Sequence, residues 1–185
     1  LEYGRSFRKF VEEYGYYDVF ICHVDDGDVV YTVTKEDDFG TRLENERTGL
    51  ATAWKEATRG REYLTDIERY SPSGDTPTMF VAAPIKDKGT TVAVLAFQIS
   101  LDAINKIMQE RTGLGESGET YLLGSQDFMF RSDSRFIGDE AVESAKLDRS
   151  QTSTILNLKN ASETASAASS GKAGCFVAPD YRGID

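Results

Sequence analysis

Positive charge is scarce in this chain. Its 21 Lys and Arg stand against 31 Asp and Glu, a formal net charge of -10. That balance argues against nucleic acid, whose phosphates need clustered Lys and Arg to neutralise them, and against docking on an anionic membrane surface. Cysteine is scarcer still: Cys22 and Cys175 are the two present, far apart in sequence. They make neither a disulfide framework nor a metal-ligand spacing. A single histidine, His23, leaves any nucleophile–histidine–acid triad one choice of base. No apolar run approaches the roughly 18 residues of a membrane-spanning helix. The chain opens at Leu1 with neither an initiator Met nor a signal-peptide pattern, which leads us to expect a piece of a longer protein.

What is present suits a globular fold. Hydrophobic residues make up 39% and charged residues 28% of 185 positions, enough for one ordinary domain or two small ones. Tyr3, Phe7, Phe10, Val11 and Tyr14 follow helical spacing and predict an aromatic-faced helix over residues 1–14, packed on its own domain or on a partner helix. YYDVFICHV and VVYTVT flank DDGD, a hairpin signal centred on Asp26–Gly27. KEDDFGTRLENER reads as a polar loop. A helix follows over 48–58, with Thr48 as N-cap and an apolar face of Leu50, Trp54 and Ala57. REYLTDIERY suits a strand and SPSGDTP a turn. TMFVAAPI and TTVAVLAFQIS form a second hairpin, whose second strand is apolar enough to be central and buried on both faces. LDAINKIMQERTG is an amphipathic helix stopped at Gly113.

After GLGESG the pattern restarts. TYLLG, SQD and FMFRSD repeat the hairpin, and Phe136 to Ser150 is mostly polar. TSTILNLK is extended or briefly helical. NASETASAASSGKAG predicts a helix with Asn160 as N-cap, Glu163 completing a capping box, and Gly171 as the stop. GCFVAPDY begins another strand. Runs of strands without βαβ alternation favour an antiparallel sheet and the α+β class.

Motifs for catalysis are weak. His23 sits in an apolar strand and no nucleophile elbow is present. Asp25, Asp26 and Asp28 crowd Gly27 without calcium-loop spacing, so a hairpin turn explains them. GLGESG lacks the Lys-Ser or Lys-Thr of a phosphate loop and leads into a strand. No cofactor or metal is implied. The remaining chemistry is binding chemistry: Trp54, Tyr63, Asp66, Tyr70 and Phe80 form an aromatic set with one carboxylate. Such a set suits a small polar or cationic ligand, with Asp66 as anchor. The plainer reading of each ring is core or rim packing.

The segments YYDVFICHVDDGDVVYTVTKEDDFGT, GREYLTDIERYSPSGDTPTMFVAAPIKDKGTTVAVLAFQISLDAINKIMQERTGLGESGETYLLG and FMFRSDSRF resemble the double Cache sensor regions of bacterial methyl-accepting chemotaxis proteins and sensor histidine kinases. The resemblance covers nearly the whole chain. It implies two PAS-like modules, each an antiparallel sheet flanked by helices, on an N-terminal helix. Residues 1–15 would be that helix, 16–112 the membrane-distal module that holds a ligand, and 113–185 a truncated membrane-proximal module. It further implies a non-enzymatic, extracytoplasmic (periplasmic) sensor of an inner-membrane receptor, homodimeric at full length. Two departures stand out: the first helix is short for the family, and the Arg–Trp pairing of amino-acid-binding relatives has no match around Trp54. A kinase or cyclase sensor, a ligand-free spacer acting through a partner protein, and a hydrolase using His23 are the alternatives.

Overall fold

The computed structural model describes residues 2–138 and 152–183. They divide into two compact units, Leu1–Leu101 and Asp102–Asp185. The glycine-rich stretch from Gly113 to Gly118 falls inside the second unit.

In the first unit, helix α1 (Glu2–Tyr14) leads into strand β1 (Tyr16–His23) and strand β2 (Val29–Thr32). Gly27, at φ +73°, turns the hairpin, and His23 N–H donates to the Asp28 carbonyl at 2.9 Å. A side chain at Gly27 has no room, since a Cβ there would lie 2.8 Å from Leu43 Cβ. Helix α2 (Gly49–Thr58) begins at Thr48, whose hydroxyl accepts the Ala51 N–H at 3.2 Å, as its sequence predicts. The expected single strand over 61–70 is instead two short ones, β3 (Tyr63–Leu64) and β4 (Glu68–Tyr70), both paired with β5; residues 65–67 between them face only 79–80 of β5, and the Thr65 hydroxyl accepts the Phe80 N–H. Strands β5 (Thr76–Asp87) and β6 (Thr90–Ile99) complete an antiparallel sheet in the order β2-β1-β6-β5-β3, with β4 also on β5.

Strand β6 is central, as its apolar run predicts, but burial alternates along it. Val94, Ala96 and Gln98 are buried while Leu95 and Phe97 are half-buried. The inner face is covered by α2, whose Leu50, Ala51, Ala53, Trp54 and Ala57 meet Phe20, Cys22, Phe80 and Ala82. The outer face is only partly covered, by the rings of α1. Phe10 packs 5.5 Å from Phe97, and Phe7 packs 5.3 Å from Tyr31. The aromatic face of α1 therefore does pack on its own sheet, although Tyr14 stays 63% exposed.

The second unit is built on shorter ladders. Helix α3 (Leu101–Met108) ends five residues before Gly113 and buries none of its side chains. The Asn105 side chain and Asp133 bond reciprocally, at 2.7 and 2.8 Å. The hairpin predicted over 120–133 is present as an isolated bridge, Leu123 with Phe130, and a second bridge joins Met129 to Lys159. Phe130 and Leu158 form a small core with Tyr121, Leu123, Phe136 and Tyr181 around it. Helix α4 (Glu163–Ser169) is capped by Ser162, whose hydroxyl accepts the Ala165 N–H at 3.2 Å, not by Asn160. Asn160 is fully buried and spends its amide on the Tyr121 hydroxyl, its carbonyl on the Ser162 N–H. Gly171, at φ +74°, is the stop predicted for this helix. Lys172 N–H returns to the Ala167 carbonyl and Gly171 N–H to Ala168, a Schellman closure. GCFVAPDY forms no strand among the described residues; its last residue, Tyr181, packs on the small core instead. The polar stretch 139–151 lies outside the described residues.

Candidate functional site

The five residues singled out by sequence are not gathered in one cavity. Trp54, Tyr70 and Phe80 are 5%, 2% and 0% exposed and belong to the first core. Trp54 Nε1–H donates to the His23 carbonyl at 2.9 Å, tying α2 to the β1–β2 hairpin. Phe80 meets Phe20 and Tyr70 edge-on at 6.1 and 4.9 Å. Tyr63 and Asp66 are exposed at the β3 edge, where the Asp66 carboxylate accepts the Ile67 N–H at 2.7 Å. The ring set is thus mostly packing, because Trp54, Tyr70 and Phe80 fill the apolar core between the sheet and α2.

Of the five, Tyr70 lines a cavity in the first unit. That cavity, of about 260 Å³, lies among the loop after β2, the start of α2 and the turn after β4. Asp37, Asp38 and Glu46 are its acidic groups and Thr41, Thr48, Tyr70 and Ser71 its hydroxyls, with Leu43 and Pro72 as apolar wall. The loop is fixed in place by backbone bonds. Gly40 N–H donates to the Val29 carbonyl, Val29 N–H to Thr41, and Leu43 N–H to Gly27. Its single aliphatic residue, Leu43, is buried against the hairpin turn.

The loop is also anchored at its root. Asp18 on β1 is fully buried and collects donors from the end of β2 and beyond. The Thr32 hydroxyl, the Thr34 hydroxyl at 2.5 Å and the Val33 N–H at 2.8 Å all point at its carboxylate. A charge this deep in the protein is tolerable only when its oxygens are satisfied in this way.

Asp38 is satisfied only in part. It is 2% exposed; its Oδ2 accepts the Tyr70 hydroxyl at 2.9 Å, and its Oδ1 is buried without a hydrogen-bond partner. Burial pushes its carboxyl up to about 6 from the usual 3.8, and the charges of Asp18 and Glu36 push the same way, against the pull of the Tyr70 hydroxyl. Burial, and then the charge of Asp38, raise the Tyr70 phenol as well. They push the Cys22 thiol up to about 12, which keeps it protonated and unreactive at neutral pH. Beside this cluster, Gln98 is buried with its side-chain nitrogen on the Ser73 hydroxyl at 3.1 Å and its Oε1 unpartnered.

Sequence reasoning missed Asp38, Thr41, Leu43 and Glu46 by assigning KEDDFGTRLENER to a solvated loop. The lone Leu43 in that polar run, just ahead of the α2 N-cap, is the signal that the loop folds back on the core. The His23 ring is half-exposed and bonds the Asp26 carboxylate at 3.1 Å; among the described residues no serine or cysteine bonds to it, so these residues give it no triad. Among the described residues no cluster of His, Cys, Asp and Glu is arranged to hold a metal ion. In the second unit a larger cavity, about 370 Å³, lies between the Tyr121–Phe128 turn and α4, and its lining has no charged group.

An antiparallel sheet with a helix and a long, fixed loop across one face is a PAS-like architecture, and the α+β class read from the sequence is the one observed. Among solved structures, the ligand-binding domain of the Campylobacter jejuni chemoreceptor Tlp3, in complex with 4-methylisoleucine, matches 80% of this chain and 54% of its own, at 12% identity and a TM-score of 0.53. That match carries the shared fold. The V. cholerae histidine kinase DctB sensor domain matches 58% of this chain and 40% of its own, at 16% identity and a TM-score of 0.46. The ligand-binding domain of the Pseudomonas aeruginosa PAO1 amino acid chemoreceptor PctC, in complex with GABA, matches 68% and 53%, at 14% identity and a TM-score of 0.46. This chain therefore spans about half, or less, of the structures it matches. No protein-family profile and no curated protein sequence matches it. Among the described residues no helix is long and apolar enough to cross a membrane.

Proposed function

We propose that this chain is the extracytoplasmic, periplasmic ligand-sensing region of a transmembrane chemoreceptor of the inner membrane. It is not an enzyme. It binds a small polar or cationic molecule in its first unit, and the parent receptor works as a homodimer. Binding biases a two-state arrangement of helices, which requires different affinities for the two states. The observation that carries this reading is the Asp38 cavity: a pocket among the loop after β2, the start of α2 and the turn after β4, lined in part by a buried carboxylate with one oxygen unsatisfied. Buried polar groups without partners cluster where ligands supply them. Tyr70 serves the site directly, Trp54 and Phe80 hold Tyr70 and the loop in place from behind, and Tyr63 and Asp66 flank the open edge of the sheet.

A second reading has its own support. Trp54, Tyr70 and Phe80 fill the space between sheet and α2, as expected of a spacer that binds no small molecule and acts through a partner protein. A thermal-shift screen against amines, organic acids, amino acids and purines separates the two. A ligand at a hundred times its dissociation constant adds about 2.7 kcal/mol to the unit that holds it. A flat response across the panel favours the spacer.

A further inference from the structure

We propose that the Asp38 cavity selects small protonated amines that carry no carboxylate, and rejects zwitterionic amino acids. This rests on the reading of the first unit as a ligand-sensing module, and it narrows the ligand class of that same site.

The charge around the cavity points one way. Asp37, Asp38 and Glu46 line it, and no Lys, Arg or His does. The charged and titratable groups that face Asp38 are Asp18 and Cys22 from β1, Glu36 from its own loop and Tyr70 from β4. All are anionic or neutral at pH 7, and no Lys, Arg or His is among them. An ammonium group held in the cavity supplies the counter-charge that an ionised Asp38 lacks among these neighbours.

A carboxylate on the same ligand meets the opposite situation. The start of a helix ordinarily offers free N–H groups to an anion. At α2 two of them are taken: the Glu68 carboxylate accepts the Gly49 N–H, and the Thr48 hydroxyl accepts the Ala51 N–H. The Thr41 hydroxyl is likewise spent on the Asp38 carbonyl at 2.8 Å, and the Tyr70 hydroxyl on the Asp38 carboxylate. A ligand carboxylate would sit among three protein carboxylates with few donors left. The cavity volume of about 260 Å³ keeps the amine small, and Leu43 and Pro72 offer its alkyl part an apolar wall.

Calorimetric titration of the 185-residue chain with n-butylamine, 4-aminobutanoate and tetramethylammonium tests this. Butylamine and 4-aminobutanoate share a skeleton and differ in the carboxylate; tetramethylammonium has the charge without a donor. Butylamine is expected to bind at least about tenfold more tightly than either, the factor expected of one charge-assisted hydrogen bond. Asp38→Asn should remove that preference. Because proton and amine compete for one carboxylate, butylamine affinity should also fall roughly tenfold between about pH 7.5 and pH 5, a readout on the unaltered chain that does not depend on the variant folding. Equal or tighter binding of 4-aminobutanoate overturns the inference and leaves the sensing reading standing. Butylamine binding that survives Asp38→Asn and ignores pH overturns it too, as attraction to an acidic surface. Binding by none of the three overturns it, while a response to another compound in the wider panel would still uphold the sensor.

Discussion

Replacing Tyr70 with Phe should destabilise the first unit by an amount that depends on pH. The substitution keeps the ring 4.9 Å from Phe80 and removes only the hydroxyl that donates to Asp38. Above about pH 7 the carboxylate is ionised, and losing a hydrogen bond to a buried charge costs about 1.5–3 kcal/mol. Below the folded value of about 6 Asp38 takes up a proton, and the lost bond is a neutral one costing about 0.5–1.5 kcal/mol. The penalty should therefore shrink by about 1 kcal/mol between pH 8 and pH 5. The wild-type chain sets the baseline. A carboxyl raised in the folded state from 3.8 to about 6 contributes stability that is complete below the unfolded value and is lost as pH rises through the folded one. The gap corresponds to about 3 kcal/mol at about 1.4 kcal/mol per pH unit, which solvent screening at the cavity mouth reduces to about 1–2 kcal/mol. The chain holds a single tryptophan, Trp54, 5% exposed in the first core, so its fluorescence during urea unfolding reports this unit alone. A Tyr70→Phe penalty equal at pH 8 and pH 5 would refute an ionisable Asp38 bonded to Tyr70.

Asp18→Ala leaves the Thr32 and Thr34 hydroxyls and the Val33 N–H facing an empty site; a loss of at least about 3 kcal/mol is expected by the same fluorescence assay. Gly27→Ala forces a left-handed conformation on an L side chain and drives its Cβ against Leu43, so about 2 kcal/mol or more should be lost. Ser162→Ala removes the α4 cap and should cost about 1 kcal/mol, read as faster amide hydrogen exchange from Ala165 to Ser169.

The order of elements in the first unit was legible because periodicity and turn chemistry agree locally. Asp26–Gly27 and the Thr48 cap each carry their own signal. What was not legible depended on long-range partners. Asn160 has the residue type and spacing of an N-cap, yet a buried tyrosine hydroxyl captures its side chain and hands the cap to Ser162. The apolar run of β6 predicts burial on both faces, but α1 reaches only part of the outer one. GCFVAPDY has strand composition and no neighbouring strand to pair with among the described residues. The candidate site was missed for the same reason. Aromatic residues draw attention as ligand walls, while physical selection puts most of them in the core. Asp38 looks like any loop carboxylate until the fold buries it beneath Tyr70.

Asp18 gives the fold a division between frame and filling. Strand β2 runs for only 4 residues, and it is a carboxylate from the neighbouring strand, not further ladder bonds, that grips the chain as it leaves the sheet. The loop that follows starts from a fixed point and returns to another at the α2 cap. Between those two points the backbone of Thr41 and Glu46 is held by hydrogen bonds of its own. A domain built this way can change the lining of its cavity by a few point changes in one loop, with its sheet and helix left as they are.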